Sequence, residues 1–258
     1  MITIISGPPR IGKTAFMVFQ LNELAFDINR NRAMQRAIAI KNENGFNLTI
    51  PEHCVSANFE TTFRRVGHKE RHGRIIDPAK IGFGAEGRVT HFLLPYETIG
   101  IMEAQEHFNS RKFQSFEEWR SNLYEQHGHQ HLDFLLDVQR PGLIDANVRE
   151  LSKFIEIQSL DVRYDDHLWF KDMAWVIRSF DCFGAFDAYM NSGKRDKGTY
   201  IETEVVSKHN ILNSYNSWSL EPKFYAGHLG QDFDLKYCQS FGPTLDDYKQ
   251  YLEDIKVA

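Results

Sequence analysis

The chain has 258 residues, a hydrophobic fraction of 42%, a charged fraction of 25% and a formal net charge of −5. That balance fits a folded globular protein and excludes a disordered, low-complexity or generally basic nucleic-acid-binding chain. No run of about 18 consecutive apolar residues offers a membrane span, and Cys54, Cys182 and Cys238, far apart and in no C-x-x-C pattern, suit free thiols in a reducing, cytoplasmic compartment.

Ile2 to Ser6 is a short, β-branched apolar run that predicts a strand. It passes directly into Gly7-Pro8-Pro9-Arg10-Ile11-Gly12-Lys13-Thr14, and a strongly apolar helical stretch follows from Ala15 to Phe26. Strand, glycine-bounded turn, lysine, hydroxyl and helix together read as a phosphate-binding P-loop. Its glycines let the backbone wrap a polyphosphate, Lys13 reaches the terminal phosphates, and the Thr14 hydroxyl is the expected Mg²⁺ ligand. Pro8 and Pro9 have no N–H to give, so the cradle falls to the amides of Arg10 to Thr14 at the helix N-terminus. ATP and Mg²⁺ are the expected ligands.

Arg30, Arg32, Arg36 and Lys41 follow the first helix, and Arg64, Arg65, Lys69, Arg71 and Arg74 form a second basic stretch. Both suit solvated faces or contacts with the phosphates of nucleic acid or lipid headgroups. Between them Cys54 to Phe59 reads as a short strand. Thr98 to Met102 reads as a buried strand ending at Glu103, and Gln114 to Tyr124 is polar and helix-favouring. Leu132 to Val138 is a further apolar strand, ending at Gln139, and Phe154 to Val162 alternates as a strand nearer the sheet edge does.

From Leu168 the pattern fades into Trp- and Tyr-bearing segments, a loop at Asn191 to Gly198 and an acidic helix from Leu245 to Ile255. Strands alternating with helices predict a three-layer α/β fold, a mostly parallel central sheet flanked by helices. We expect one domain over residues 1–258, with a motif-bearing core at 1–165 and an extension at 166–258 without assigned function. Ligands of such sheets bind at the carboxyl ends of the strands, so Glu103 and Gln139 are expected at the same edge as the P-loop.

Glu103, following an apolar strand, is the candidate to orient or deprotonate an attacking water. The position before it, where a P-loop ATPase usually carries a metal-holding aspartate, is Met102. Thr14 then holds the metal with waters alone, or Asp137, two residues before Gln139 and on the same strand face, leans in. Gln139 is placed to sense the γ-phosphate. Arg149, ahead of Arg111 and Arg140, is the candidate arginine finger toward a neighbouring subunit. His127, His129 and His131 alternate as metal ligands on a strand would, without a companion Cys/His set at zinc spacing.

As an ordered set, the N-terminal P-loop, IGIMEAQEHF and HGHQHLDFLLDVQRPGLIDANVREL resemble the zonular occludens toxin family, which includes assembly ATPases of filamentous phages. Glu103-Ala104-Gln105, His127, His129, Asp133, Gln139, Leu143-Ile144-Asp145 and Arg149 match the family pattern over about Met1 to Val162, with a looser echo at Tyr215-Asn216-Ser217. Arg10 stands where a glycine is usual, Met102 replaces the Walker B aspartate, and Gly128 replaces an arginine.

The resemblance implies a RecA-like ATPase working in a homo-oligomeric ring with phage DNA and virion or membrane assembly components. It also implies a place in the host cytoplasm, peripheral to the inner membrane or at a virion vertex. DNA extrusion is the first expectation. A genome-packaging ATPase of icosahedral, membrane-containing phages, a nucleotide-gated scaffold with little hydrolysis, and a small-molecule kinase are the other readings.

Overall fold

The computed structural model describes residues 1–45, 48–78, 81–82, 91–109, 127–167, 169–193 and 197–215. Eight strands form one sheet: β1 (Ile2–Ser6), β2 (Val55–Ala57), β3 (Arg74–Ile75), β4 (Thr98–Ile101), β5 (Asp133–Val138), β6 (Ser152–Tyr164), β7 (Phe170–Phe180) and β8 (Ile201–Ser207). Their order is β8-β7-β6-β1-β5-β4-β2-β3. The six strands from β6 to β3 are parallel, and β7 and β8 extend the sheet antiparallel.

Alternation along the strands separates two apolar layers. Ile2 and Ile4 of β1 and Phe134, Leu136 and Val138 of β5 face one way; Ile5 and Leu135 face the other. Helices α1 (Lys13–Ala25) and α2 (Ile28–Glu43) belong to the second face. On the first lie α3 (Ala146–Glu150) and α4 (Phe183–Asn191), with Phe186 and Tyr189 packed beside Phe154 and Phe180. The result is the expected three-layer arrangement, a mostly parallel central sheet flanked by helices.

Helix α1 approaches the sheet closely because β4 carries Gly100, where a Cβ would lie 2.6 Å from Leu21 Cδ1. Helix α2, which the sequence reading left unassigned, starts at an N-cap, Asp27, whose carboxylate accepts from the amides of Asn29 and Arg30. It buries Asn31, Met34 and Ile38 at helical spacing.

Two expectations change. Phe154 to Val162 is not near an edge: β6 runs from Ser152 to Tyr164 and lies between β1 and β7. The segment beyond Leu168, which lacked a readable pattern, supplies β7, α4 and β8 and so covers that side of β6. The expected helix at Gln114 to Tyr124, Arg111, Cys238, the helix at Leu245 to Ile255, and Asn216 and Ser217 lie outside the described residues.

Candidate nucleotide site

In the loop after β1, Arg10 and Gly12 take left-handed backbone. Gly12 (φ 87°) is the N-cap of α1, and a side chain there would meet Leu160 Cδ2 of β6 at 2.6 Å. Trp175 of β7 donates its indole N–H to the Gly12 carbonyl at 3.3 Å, so the antiparallel extension braces the loop. Arg10 takes φ 64°, a conformation that an L-residue adopts at a cost of about 1–2 kcal/mol and glycine adopts freely. The backbone thus supplies the physical reason that a glycine is expected at position 10.

Lys13 opens α1, is buried, and donates to the Pro8 carbonyl at 3.2 Å. Beside it Thr14 Oγ1 donates to Asp137 Oδ2 at 2.5 Å, and Lys13 Nζ lies 4.0 Å from Asp137 Oδ1. Asp137 pairs in register with Ile5 of β1 and faces α1. It is 2% exposed. Burial pushes its carboxyl up to about 6; Lys13 and the Thr14 hydroxyl oppose that shift, and the charge of Glu103 adds to it. Tyr215 is pushed up to about 12 by its own burial, with the Asp137 charge contributing.

Glu103 follows β4 in the left-handed region (φ 51°, ψ 44°). Such a conformation in a non-glycine residue persists only where its surroundings enforce it. Asn58, just beyond β2, pins the preceding residue: its side chain accepts from the Met102 amide at 2.8 Å and donates to the Met102 carbonyl at 3.1 Å. Met102 itself is buried in the apolar layer with α1. The Glu103 carboxylate accepts from Gln105 and, at 3.3 and 3.4 Å, from the side-chain amide of Gln139 beyond β5.

The strand ends therefore bring Lys13, Thr14 and Asp137 together, and Glu103 and Gln139 together. Sequence reasoning did not single out Asn58, Trp175 or Leu160. Each acts across the sheet, and only an asparagine closing the CVSANF segment hints at the first.

The motif segments beyond Glu103 and Gln139 are zipped to each other. Asn109 bridges Ile144, the Asp145 amide donates to the Phe108 carbonyl at 2.8 Å, and Asp145 caps α3 through the Asn147 amide. Ile144 is fully buried. Arg149, on α3, lays its guanidinium over the Phe183 ring at 4.7 Å, while its Nε is buried without a hydrogen-bond partner among the described residues. Arg140 is exposed.

His127 to Gln130 forms a 3-10 turn, not a strand, so its histidines do not share one face. His131 stacks on Tyr96 at 4.6 Å. Among the described residues no group of three or more His, Cys, Asp or Glu side chains is placed to hold a metal.

Four arginines of the basic stretches are tied to acids. Arg30 pairs with Asp133 at 2.7 Å, Arg64 with Glu70 at 2.6 Å, Arg71 with Glu52 at 3.3 Å and Arg74 with buried Glu97 at 3.4 Å. Arg32, Arg36, Arg65 and Lys69 are exposed. No described helix is long and apolar enough to cross a membrane.

No protein-family profile matches the sequence, and no curated protein does. Among solved structures, the chain is similar to the N-terminal domain of zonular occludens toxin from Neisseria meningitidis, at 17% identity. That match covers 83% of this chain and 97% of the other, with a TM-score of 0.46. It is also similar to the genome packaging NTPase B204 of Sulfolobus turreted icosahedral virus 2, in complex with ATP-gammaS. There the identity is 11%, the coverage 65% of this chain and 78% of that one, and the TM-score 0.35. The DNA-packaging ATPase B204 of Sulfolobus turreted icosahedral virus shows 14% identity over the same shares, 65% and 78%, with a TM-score of 0.33.

Proposed function

We propose that the chain is a Mg²⁺-dependent ATPase of phage morphogenesis that couples ATP binding and hydrolysis to DNA movement in virion assembly and extrusion at the host inner membrane. The observation that carries the ATPase part is the meeting of Glu103 and Gln139 at the ends of adjacent strands, on the edge where the loop presents Lys13 and Thr14. The morphogenesis part is supported by the ordered motifs that resemble the zonular occludens toxin family. A homo-oligomeric ring, phage DNA and virion or membrane components as partners, and a cytoplasmic, membrane-peripheral or virion-vertex location belong to the same reading.

In this proposal the loop backbone from Gly7 through Pro8, Pro9, Arg10, Ile11 and Gly12 to Thr14 wraps the phosphates. Lys13 leaves the Pro8 carbonyl for the terminal phosphate oxygens. Mg²⁺, when bound, would supply the positive charge that offsets the phosphates, and the Thr14 hydroxyl would hold it. A water held by Glu103 attacks the γ-phosphorus, its proton passes to the carboxylate, and the bond to the β–γ bridging oxygen breaks, leaving ADP and phosphate. Gln139, bonded to Glu103, registers the γ-phosphate and passes its state to the Pro141–Leu143 turn and α3. Arg149 supplies an arginine finger to a neighbouring subunit after leaving Phe183.

One observation favours a second reading. Met102 is buried where a metal-binding acid is usual, which suits a nucleotide-gated scaffold with little hydrolysis. Steady-state ATP turnover with and without phage-length DNA separates the two: stimulation by DNA supports the motor. Unchanged turnover with DNA and with virion components contradicts it. ATP-driven uptake into preformed capsids would move the assignment from extrusion to genome packaging.

A further inference from the structure

We propose that Asp137 is the acidic partner of the nucleotide's Mg²⁺, supplied from β5 in place of the acid that Met102 cannot provide. The inference rests on the ATP-binding reading of the Gly7–Thr14 loop. Along β4 the α1-facing positions are Thr98 and Gly100, the latter beneath Leu21, while Ile99 and Ile101 face the opposite layer. Met102 continues the α1-facing series and is packed in that layer. Its thioether is a soft, weak donor, whereas Mg²⁺ takes hard oxygen ligands.

The adjacent strand compensates. β5 lies between β4 and β1, and its α1-facing residue opposite Ile5 is Asp137. Among the described residues, this is the carboxylate in contact with both Thr14 and Lys13. Glu103, by contrast, is held by Gln105 and Gln139. Mg²⁺ retains several waters and needs only one or two protein oxygens besides the phosphates, so Thr14 and Asp137 suffice without a larger acidic cluster.

Charge balance argues the same way. A buried carboxylate is tolerated when a cation accompanies it and costly when left alone. Lys13 is that cation in this structure, at 4.0 Å, and the nucleotide's terminal phosphates draw it away. Asp137 would then need another cation, and a Mg²⁺ held with Thr14 would supply it. Thr14 has one hydroxyl proton, and giving it to Asp137 turns the oxygen lone pairs toward the metal. The carboxylate acts directly or through one of the metal's waters.

The test is the affinity for a fluorescent ATP analogue with and without Mg²⁺, for wild type, Asp137→Asn and Lys13→Ala. Wild type is expected to bind about tenfold or more tightly with Mg²⁺ than without; in Asp137→Asn that ratio falls to about threefold or less, whatever the variant's metal-free affinity. An enhancement preserved in Asp137→Asn overturns the proposal. Wild type that does not bind the analogue, or binding unaffected by Lys13→Ala, removes the ATP reading itself. A second readout needs no variant: wild type carrying ¹³C-carboxyl aspartate, loaded with Mn²⁺ and ATP analogue, should show a ¹³C hyperfine coupling to the metal. Its absence also overturns the proposal.

Discussion

Gln139 holds its side-chain amide 3.3 Å from the carboxylate of Glu103, spanning the ends of β5 and β4. In the proposed mechanism Glu103 is the base and this contact orients it. Glu103→Gln is expected to lower kcat by about 100-fold or more, and Gln139→Ala by about tenfold. Nucleotide affinity should stay within about threefold of wild type in both. Single-turnover hydrolysis alongside equilibrium binding checks the split; equal losses in affinity would mean that the pair binds substrate and does not activate water.

The two left-handed residues of the loop predict opposite responses to substitution. Arg10→Gly relieves a strained backbone position, so thermal stability should hold or rise by up to about 1 kcal/mol. Gly12→Ala adds strain and a contact with Leu160 and should cost roughly 1–3 kcal/mol. Melting temperatures of the purified variants decide it, and a destabilised Arg10→Gly would show that the arginine side chain matters more than its backbone.

Asn58 pairs with both backbone groups of Met102, the residue before Glu103. Asn58→Ala leaves those groups without partners and should cost about 2–3 kcal/mol of stability. If Asn58 positions Glu103, kcat falls while KM stays near wild type. A stability loss with unchanged kcat would mean that it acts on folding alone.

Cys54 is buried and Cys182 exposed, and burial pushes the Cys54 thiol up to about 11. A thiol-reactive probe at pH 8 should therefore label Cys182 within minutes and Cys54 only on unfolding, as peptide mapping would reveal. Between the usual thiol range and about 11 the unfolded chain loses this proton while the folded chain keeps it. Folding stability accordingly falls as pH rises through that window, by roughly 2 kcal/mol at its upper end.

Much of the parallel core was legible because its signals are local: an apolar run, a glycine-bounded turn, and a polar residue closing each buried strand at Glu103 and Gln139. Helix α2 had a start signal in Asp27, but its polar composition hid a narrow buried stripe through Met34 and Ile38. β7 and β8 were not readable because their pattern is mixed: Trp175 is fully buried against Phe16 and Phe19, while Ile201 and Val206 are exposed. Leu143-Ile144-Asp145, prominent as a motif, is a packing and capping unit joining the segments beyond Glu103 and Gln139. The contacts of Asn58 join residues far apart in the chain and no local pattern encodes them, whereas the two-residue spacing of Asp137 and Gln139 placed Asp137 on the strand face that meets Thr14.

The most direct test of the central claim is steady-state ATP hydrolysis by wild type, Lys13→Ala and Glu103→Gln in the presence of Mg²⁺. The account predicts turnover in wild type, loss of both binding and turnover in Lys13→Ala, and retained binding with turnover reduced by about 100-fold or more in Glu103→Gln. Hydrolysis that persists in Glu103→Gln at the wild-type rate, or in Lys13→Ala, would contradict it.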